Sequence, residues 1–224
     1  MSTKLGSNFV TNLIIMGAGG HAKVTADIIR ALHLNVTGLT DQNPEMLNTV
    51  AEPGGAKVIL TQDKLLEHLE NYQKLPDPIS HGVVAIGHNG VRLRLSRQLG
   101  HTLAPALVHP AATISPSATL GAGTTVLPRV VVNANASIGL AAILNTGCII
   151  EHDCVLGDGV HISPGATLCG NVTVGDRSWV AAGATVIPGV RIGKDAIIGA
   201  GATVIRDVPD GTTVVGSPAK PLSR

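Results

Sequence analysis

From Ile114 to Val204 an aliphatic residue stands at every sixth position without a gap: Ile114, Leu120, Val126, Val132, Ile138, Leu144, Ile150, Leu156, Ile162, Leu168, Val174, Val180, Val186, Ile192, Ile198 and Val204. Neither the 3.6-residue period of a helix nor the two-residue period of a strand produces this. A parallel β-helix does, because each hexad makes one flat side of a coil and three hexads close it. The run makes about five coils, rising roughly 4.8 Å each at ordinary strand spacing. A second set, four places after each aliphatic residue, is mostly small, from Ala118 and Thr124 through Cys148, Cys154 and Ala166 to Ala202. One large and one small side chain per side suits a narrow interior, so both sets are expected to point inward. Glycines 121, 139, 157, 175, 193 and 199 follow directly on aliphatic positions and read as turn residues. Flat sides can pack against copies of themselves, and a closed ring of three is the natural assembly.

The chain before the hexads alternates apolar runs with helical spacing. Strands are expected over 13–16, 35–40, 57–60 and 82–86, and helices over 21–32, 63–72 and 91–99. Alternation of this kind predicts a small parallel sheet with crossover helices. The spacing divides the chain into an α/β domain over 1–108, a β-helix over 109–206 and a tail over 207–224.

A net charge of +1 provides no general attraction for nucleic acid or anionic lipid. Phe9, Tyr72 and Trp179 are the only aromatic residues, too few for base stacking on single strands. Cys148, Cys154 and Cys169 form no CxxC pair and are odd in number, which fits a reducing compartment. Residues 1–11 lack the apolar core of a signal peptide, and 13–16 is too short to span a bilayer. A soluble cytoplasmic protein is expected, with no metal.

The densest chemical signal is the run from Leu144 to Asp153. Asn145, Glu151, His152, Asp153 and His161 all avoid the inward positions. One coil is eighteen residues, so His152 should lie between Ala134 and Gly170, with small neighbours on both sides. A base with a backbone amide close by results. Asp153 beside it would hold one imidazole tautomer and raise its basicity. A surface His next to an Asp is common, so the outward clustering carries this reading. Cys148 and Cys154 are candidate nucleophiles in principle, but their register buries them. A zinc site from His152, His161 and Cys154 lacks a fourth ligand, and its cysteine faces inward.

Gly17-Ala18-Gly19-Gly20-His21-Ala22 fits G-x-G-x-x-A between a strand and a helix, and Asp41 ends the next strand. This is the pattern of a phosphate at a helix N-terminus with an acid near ribose. About 105 residues make one mononucleotide half, which favours a nucleotide-sugar over NAD. Gly87-His88-Asn89-Gly90 ends a further strand. Arg92 opens the next helix, where it is expected either to reach phosphate or to lie on a solvated face.

The hexads, the Asn145-Thr146-Gly147 and Glu151-His152-Asp153 run, His161, the closing Val215-Gly216-Ser217-Pro218-Ala219-Lys220 and the glycine-rich start together resemble the hexapeptide-repeat sugar acyltransferases. The branch resembled acetylates nucleotide-linked 4-amino-4,6-dideoxy sugars of the bacillosamine and perosamine type, with sialic acid O-acetyltransferases as relatives. That resemblance implies a left-handed β-helix, against the usual right-handed crossover, and a homotrimer with active sites between subunits. It implies His152 as general base, Asp153 as its acidic partner and Asn145 as a positioning residue. His161, the Gly170 amide and the backbone at Ala182 and Ala200 would hold acetyl-CoA. Gly19, Gly20, His21, Asp41, Gln42 and Gly87 would hold the nucleotide-linked amino sugar. Sialic acid O-acetylation and a non-catalytic sugar-nucleotide sensor, with the coil as a trimeric scaffold, are the competing readings.

Overall fold

The computed structural model describes residues 11–222. The signal-peptide reading of 1–11 therefore lies outside the described residues, Thr11 apart. Residues 11–87 with 95–104 make one compact unit, and 88–94 with 105–222 make the other.

In the first unit, strand β1 (Asn12–Met16) leads into helix α1 (Gly20–Ala31), then β2 (Asn35–Asp41), β3 (Val58–Thr61), α2 (Gln62–Tyr72) and β4 (His81–Val84). All four strands are parallel, in the order β3-β2-β1-β4. Residues Leu13 to Met16 have no exposed surface, as a central strand covered on both faces requires. Helix α1 turns Ala22, Ala26, Ile28 and Ile29 inward. Thr61 ends β3 and caps α2, its Oγ1 accepting from the Lys64 N–H at 3.4 Å. A helix α3 (Asn89–Leu99) follows; its first residues, 89–94, group with the second unit and its last, 95–99, with the first.

The second unit is a left-handed parallel β-helix with three flat sides. Eight strands make one side, from Leu107–Val108 through Ile143–Leu144, His161–Ile162 and Trp179–Val180 to Thr213–Val215 and Lys220–Pro221. Six strands from Thr113–Ile114 to Thr203–Val204 make the second side, and five from Thr119–Leu120 to Arg191–Ile192 make the third. Both inward sets are where the hexads put them. From Val126 to Val204 every aliphatic position is at most 3% exposed, and from Thr124 to Ala202 every partner position at most 5%. Burying each such aliphatic side chain contributes about 1.5–3 kcal/mol. Ile114 and Leu120, in the first coil, are half-buried.

Two expectations change here. Leu107–Val108 already pairs with Thr125–Val126, so the coil unit starts before the boundary drawn at 108. Thr213–Val215 pairs with Ile197–Ile198 and receives Lys220–Pro221 antiparallel, so the stretch taken as a tail extends the eight-stranded side. The second change concerns the glycines. The left-handed turn residues lie three places after the aliphatic positions, at Arg129, Asn135, Ala141, Gly147, Asp153 and onward every sixth residue to Gly201. Glycines 121, 139, 157, 175, 193 and 199 are absent from that set. At Gly139 a Cβ would lie 2.6 Å from the backbone carbon of Gly157, and at Gly175 2.6 Å from the Lys194 nitrogen. These glycines permit close stacking of coils rather than the turn itself.

Candidate active site

Strand Ile149–Ile150 buries Ile150, and the chain then turns through Glu151, His152 and Asp153. Asp153 adopts φ 60°, a left-handed conformation that Asp tolerates better than most residues. The corner is held between coils: the Asp153 N–H donates to the Ala134 carbonyl at 2.9 Å, and the Asn171 N–H to the His152 carbonyl at 3.0 Å. The His152 side chain is thereby sent outward, 55% exposed. Its ring lies over Gly170, where a Cβ would stand 2.6 Å from both Cε1 and Nε2.

Asp153 Oδ2 is 2.8 Å from His152 Nδ1. Asn135, one coil away, donates from Nδ2 to Asp153 Oδ1 at 3.2 Å. The hydrogen bond with His152, and then that from Asn135, hold the Asp153 carboxyl below its ordinary value. An ionised carboxylate can only accept, so Nδ1 carries the hydrogen and the neutral ring keeps its lone pair on Nε2. Among the described residues nothing accepts from the Gly170 N–H, whose carbonyl is engaged by the Gly189 N–H at 3.0 Å. A lone pair and an amide donor thus share one corner.

Asn145 and His161 form a second cluster, on the eight-stranded side. The Thr146 N–H donates to Asn145 Oδ1 at 2.8 Å, which leaves Asn145 Nδ2 as donor to His161 Nε2 at 3.2 Å. Trp179 pairs with His161 in register on the next coil. The rings stack with centroids 6.1 Å apart at 14°, and Trp179 Nε1 donates to Ser163 Oγ at 2.7 Å. Ala182 and Ala200 are exposed at the corner closing this side, one coil apart, with the Gly201 N–H on the Ala182 carbonyl at 2.9 Å. The six-stranded side separates this cluster from the His152 corner within one chain. Asn145, grouped with His152 in the sequence reading, accordingly sits with His161.

Cys148 and Cys154 have no exposed surface. Burial pushes the Cys148 thiol up to about 12 and raises that of Cys154, which removes both as nucleophiles. Among the described residues no group of three or more His, Cys, Asp or Glu side chains is placed to hold a metal ion. No helix among them is long and apolar enough to cross a membrane.

Arg92 meets neither expectation set for it. It is 1% exposed and donates to the Ala141 carbonyl at 2.8 Å, the Gly159 carbonyl at 2.7 Å and Asn89 Oδ1 at 2.9 Å. Burial lowers its guanidinium to about 10, still a cation at neutral pH. Asn89 in turn donates to the Arg177 and Ser178 carbonyls. This side chain anchors the start of α3 to the coil.

In the first unit the expected nucleotide residues gather at the carboxyl edge of the sheet. The Gly17 N–H donates to the Thr40 carbonyl at 2.9 Å and the Ala85 N–H to the Met16 carbonyl at 2.8 Å, so the ends of β1, β2 and β4 line up. Gly19 caps α1 without a side chain, and a Cβ at Gly19, Gly20 or Gly87 would meet nothing within 4 Å. His21 lies in the first turn of α1, its carbonyl accepting from Thr25 Oγ1 at 2.9 Å. Asp41 Oδ1 accepts from the Asn43 N–H at 2.9 Å, and Gln42 is exposed beside it. The strand order reverses between β1 and β4, where ligands of such sheets bind.

Sequence reasoning missed Asn135, Ser163 and Trp179. The eighteen-residue step that related His152 to Gly170 would have found all three, since they lie one coil from Asp153, Asn145 and His161.

Comparison with known proteins agrees with both units. The PglD N-terminal domain family matches residues 12–99, and the bacterial transferase hexapeptide (six repeats) family matches 171–206. UDP-N-acetylbacillosamine N-acetyltransferase of Bacillus subtilis is 38% identical over 118 residues, 52% of this chain. The match spans 51% of that relative's length. A variant of perosamine N-acetyltransferase from Caulobacter crescentus, solved with CoA and GDP-perosamine, is 38% identical with TM-score 0.86, over 96% of this chain and 99% of its own. The acetyltransferase domain of PglB from Neisseria gonorrhoeae, solved with acetyl coenzyme A, is 36% identical with TM-score 0.83, over 94% and 98%. With that likeness running through both units, the chain belongs to the hexapeptide-repeat sugar acyltransferase family, in the branch with a PglD-type N-terminal domain.

Proposed function

We propose that this protein is an N-acetyltransferase that moves the acetyl group of acetyl-CoA to the 4-amino group of a nucleotide-linked 4-amino-4,6-dideoxy sugar, in the cytoplasm. The observation that carries the chemistry is the His152–Asp153 pair at 2.8 Å with the ring stacked on Gly170. The acceptor amine attacks the thioester carbonyl, so a C–N bond forms as the C–S bond breaks. His152 Nε2 takes the amine proton and passes it to the departing CoA thiolate. The Gly170 N–H donates to the carbonyl oxygen as it gains charge. No covalent acyl-enzyme is required, in keeping with the burial of Cys148 and Cys154.

The open glycines at the edge of the first sheet leave room for phosphate to approach backbone N–H groups, with Asp41 and Gln42 beside ribose. Acetyl-CoA lies along His161, Ala182 and Ala200 with its thioester at Gly170. These residues stand on both flanks of the six-stranded side. One cofactor molecule can therefore meet both sets where two copies of the chain face each other, as in a homotrimer. The relatives solved with CoA, acetyl coenzyme A and GDP-perosamine support this substrate class.

Incubation with acetyl-CoA and a panel of UDP- and GDP-linked amino sugars and sialic acid, following free thiol, tests the reading. Thiol release with an amino sugar is the expected result. Release with sialic acid alone would make the protein an O-acetyltransferase, and no release with any acceptor would favour a sensor. Mixing His152→Ala with His161→Ala chains should restore part of the activity if each site draws on two copies.

A further inference from the structure

We propose that Asn135 is a positioning residue for the reaction, holding Asp153 so that neutral His152 keeps its hydrogen on Nδ1 and its lone pair on Nε2. This rests on the reading of His152 as general base. Asn135 and Asp153 occupy the same corner of successive coils, eighteen residues apart, with φ of 59° and 60°. Identical backbone shape makes the two side chains run parallel and meet. Each carboxylate oxygen then has its own partner: Asn135 Nδ2 on Oδ1 at 3.2 Å and His152 Nδ1 on Oδ2 at 2.8 Å. Rotation of the carboxylate about Cβ–Cγ breaks both bonds.

Asn135 is itself fixed from below. Its backbone N–H donates to Ser117 Oγ at 3.0 Å, and Ser117 Oγ lies 3.1 Å from Ser115 Oγ. A ladder of hydrogen bonds thus climbs one edge of the prism and ends on the imidazole. The neighbouring coils present Asn133, Ala134 and Asn135 on one side of His152 and Cys169, Gly170 and Asn171 on the other. Asn171 holds the same corner one coil on, with φ 61°, but among the described residues the side-chain donor on Asp153 Oδ1 is Asn135. With Asp153 44% exposed, its carboxylate would otherwise turn toward water. An exposed imidazole then reverts to the Nε2–H tautomer, which has no lone pair where the base needs one.

Asn135→Gly removes the amide and suits the left-handed backbone. Asn135→Asp is isosteric and tolerates the same φ, and it cannot donate once both facing carboxyls are ionised, since a proton shared between them would restore the bond. The readouts are the ¹⁵N-NMR tautomer ratio of neutral His152 and kcat and KM for acetyl-CoA with an accepted amino sugar. Both variants should shift His152 toward the Nε2–H tautomer and lower kcat at least about tenfold, the effect of one hydrogen bond to a charged group, with KM unchanged. A wild-type tautomer ratio in Asn135→Gly overturns the proposal, whether or not turnover falls. His152→Ala reports separately on the underlying reading. If it retains activity, the general-base assignment fails even where the tautomer shift is observed.

Discussion

Replacing Gly170 with alanine separates catalysis from folding at the proposed base. The new Cβ would stand 2.6 Å from Cε1 and Nε2 of His152, whereas ordinary contact begins at 3.4 Å, so the ring must move by at least 3.4 − 2.6 = 0.8 Å. Gly170 is not among the left-handed residues, and alanine therefore adds no backbone strain there. The ring is 55% exposed and free to swing into solvent, which limits the stability change to about 0.5 kcal/mol. Its 2.8 Å bond to Asp153 cannot survive the swing unaltered. A misplacement of about 1 Å at a catalytic group costs roughly a hundredfold. We expect Gly170→Ala to lower kcat by about that factor in the thiol-release assay, with an unchanged melting curve by circular dichroism. Turnover within about threefold of wild type would refute the stacking argument. Loss of the folded signal in parallel with activity would do the same, because it would assign the effect to the coil.

His152→Ala should lower turnover at least about a hundredfold, as loss of a general base does, while the melting temperature and oligomer size by light scattering stay as in wild type. Arg92→Met leaves the Ala141 and Gly159 carbonyls without their donor; a loss of about 3 kcal/mol in urea unfolding is expected from two buried acceptors left bare. In the native protein at pH 8, Ellman's reagent should titrate one thiol, the half-buried Cys169, because Cys148 and Cys154 are buried and their thiols are raised; all three should react in denaturant, and native reaction of two or more would contradict the inward register.

The aliphatic period was sufficient to place nearly every coil side chain in or out. The interior admits one residue pattern only, so the pattern reads back directly, and Cys148 and Cys154 could be set aside as nucleophiles on register alone. The eighteen-residue repeat also put His152 over Gly170, because coils stack without offset when no insertion intervenes. The strands and helices of the first unit were legible for the ordinary reason that their apolar runs and helical spacing are clear.

Other features depended on contacts that linear spacing does not encode. Gly139 and Gly175 follow aliphatic residues just as turn glycines might, and only the distance to the next coil's backbone reveals why a Cβ is excluded. Arg92 looks like any basic residue at a helix start; its burial against the Ala141 and Gly159 carbonyls follows from where α3 begins on the coil. Asn145 adjoins the His152 run in sequence, yet a whole flat side of the prism lies between them, because six residues along the chain is one side and not one coil. The sequence by itself determined the period, the inward register and the chemistry available on the outside, since these follow from side-chain volume and repeat length. The tertiary structure alone decided which outward side chains touch, since hydrogen bonds such as Asn135 to Asp153 form between coils, across a spacing that becomes a contact only once the chain is wound.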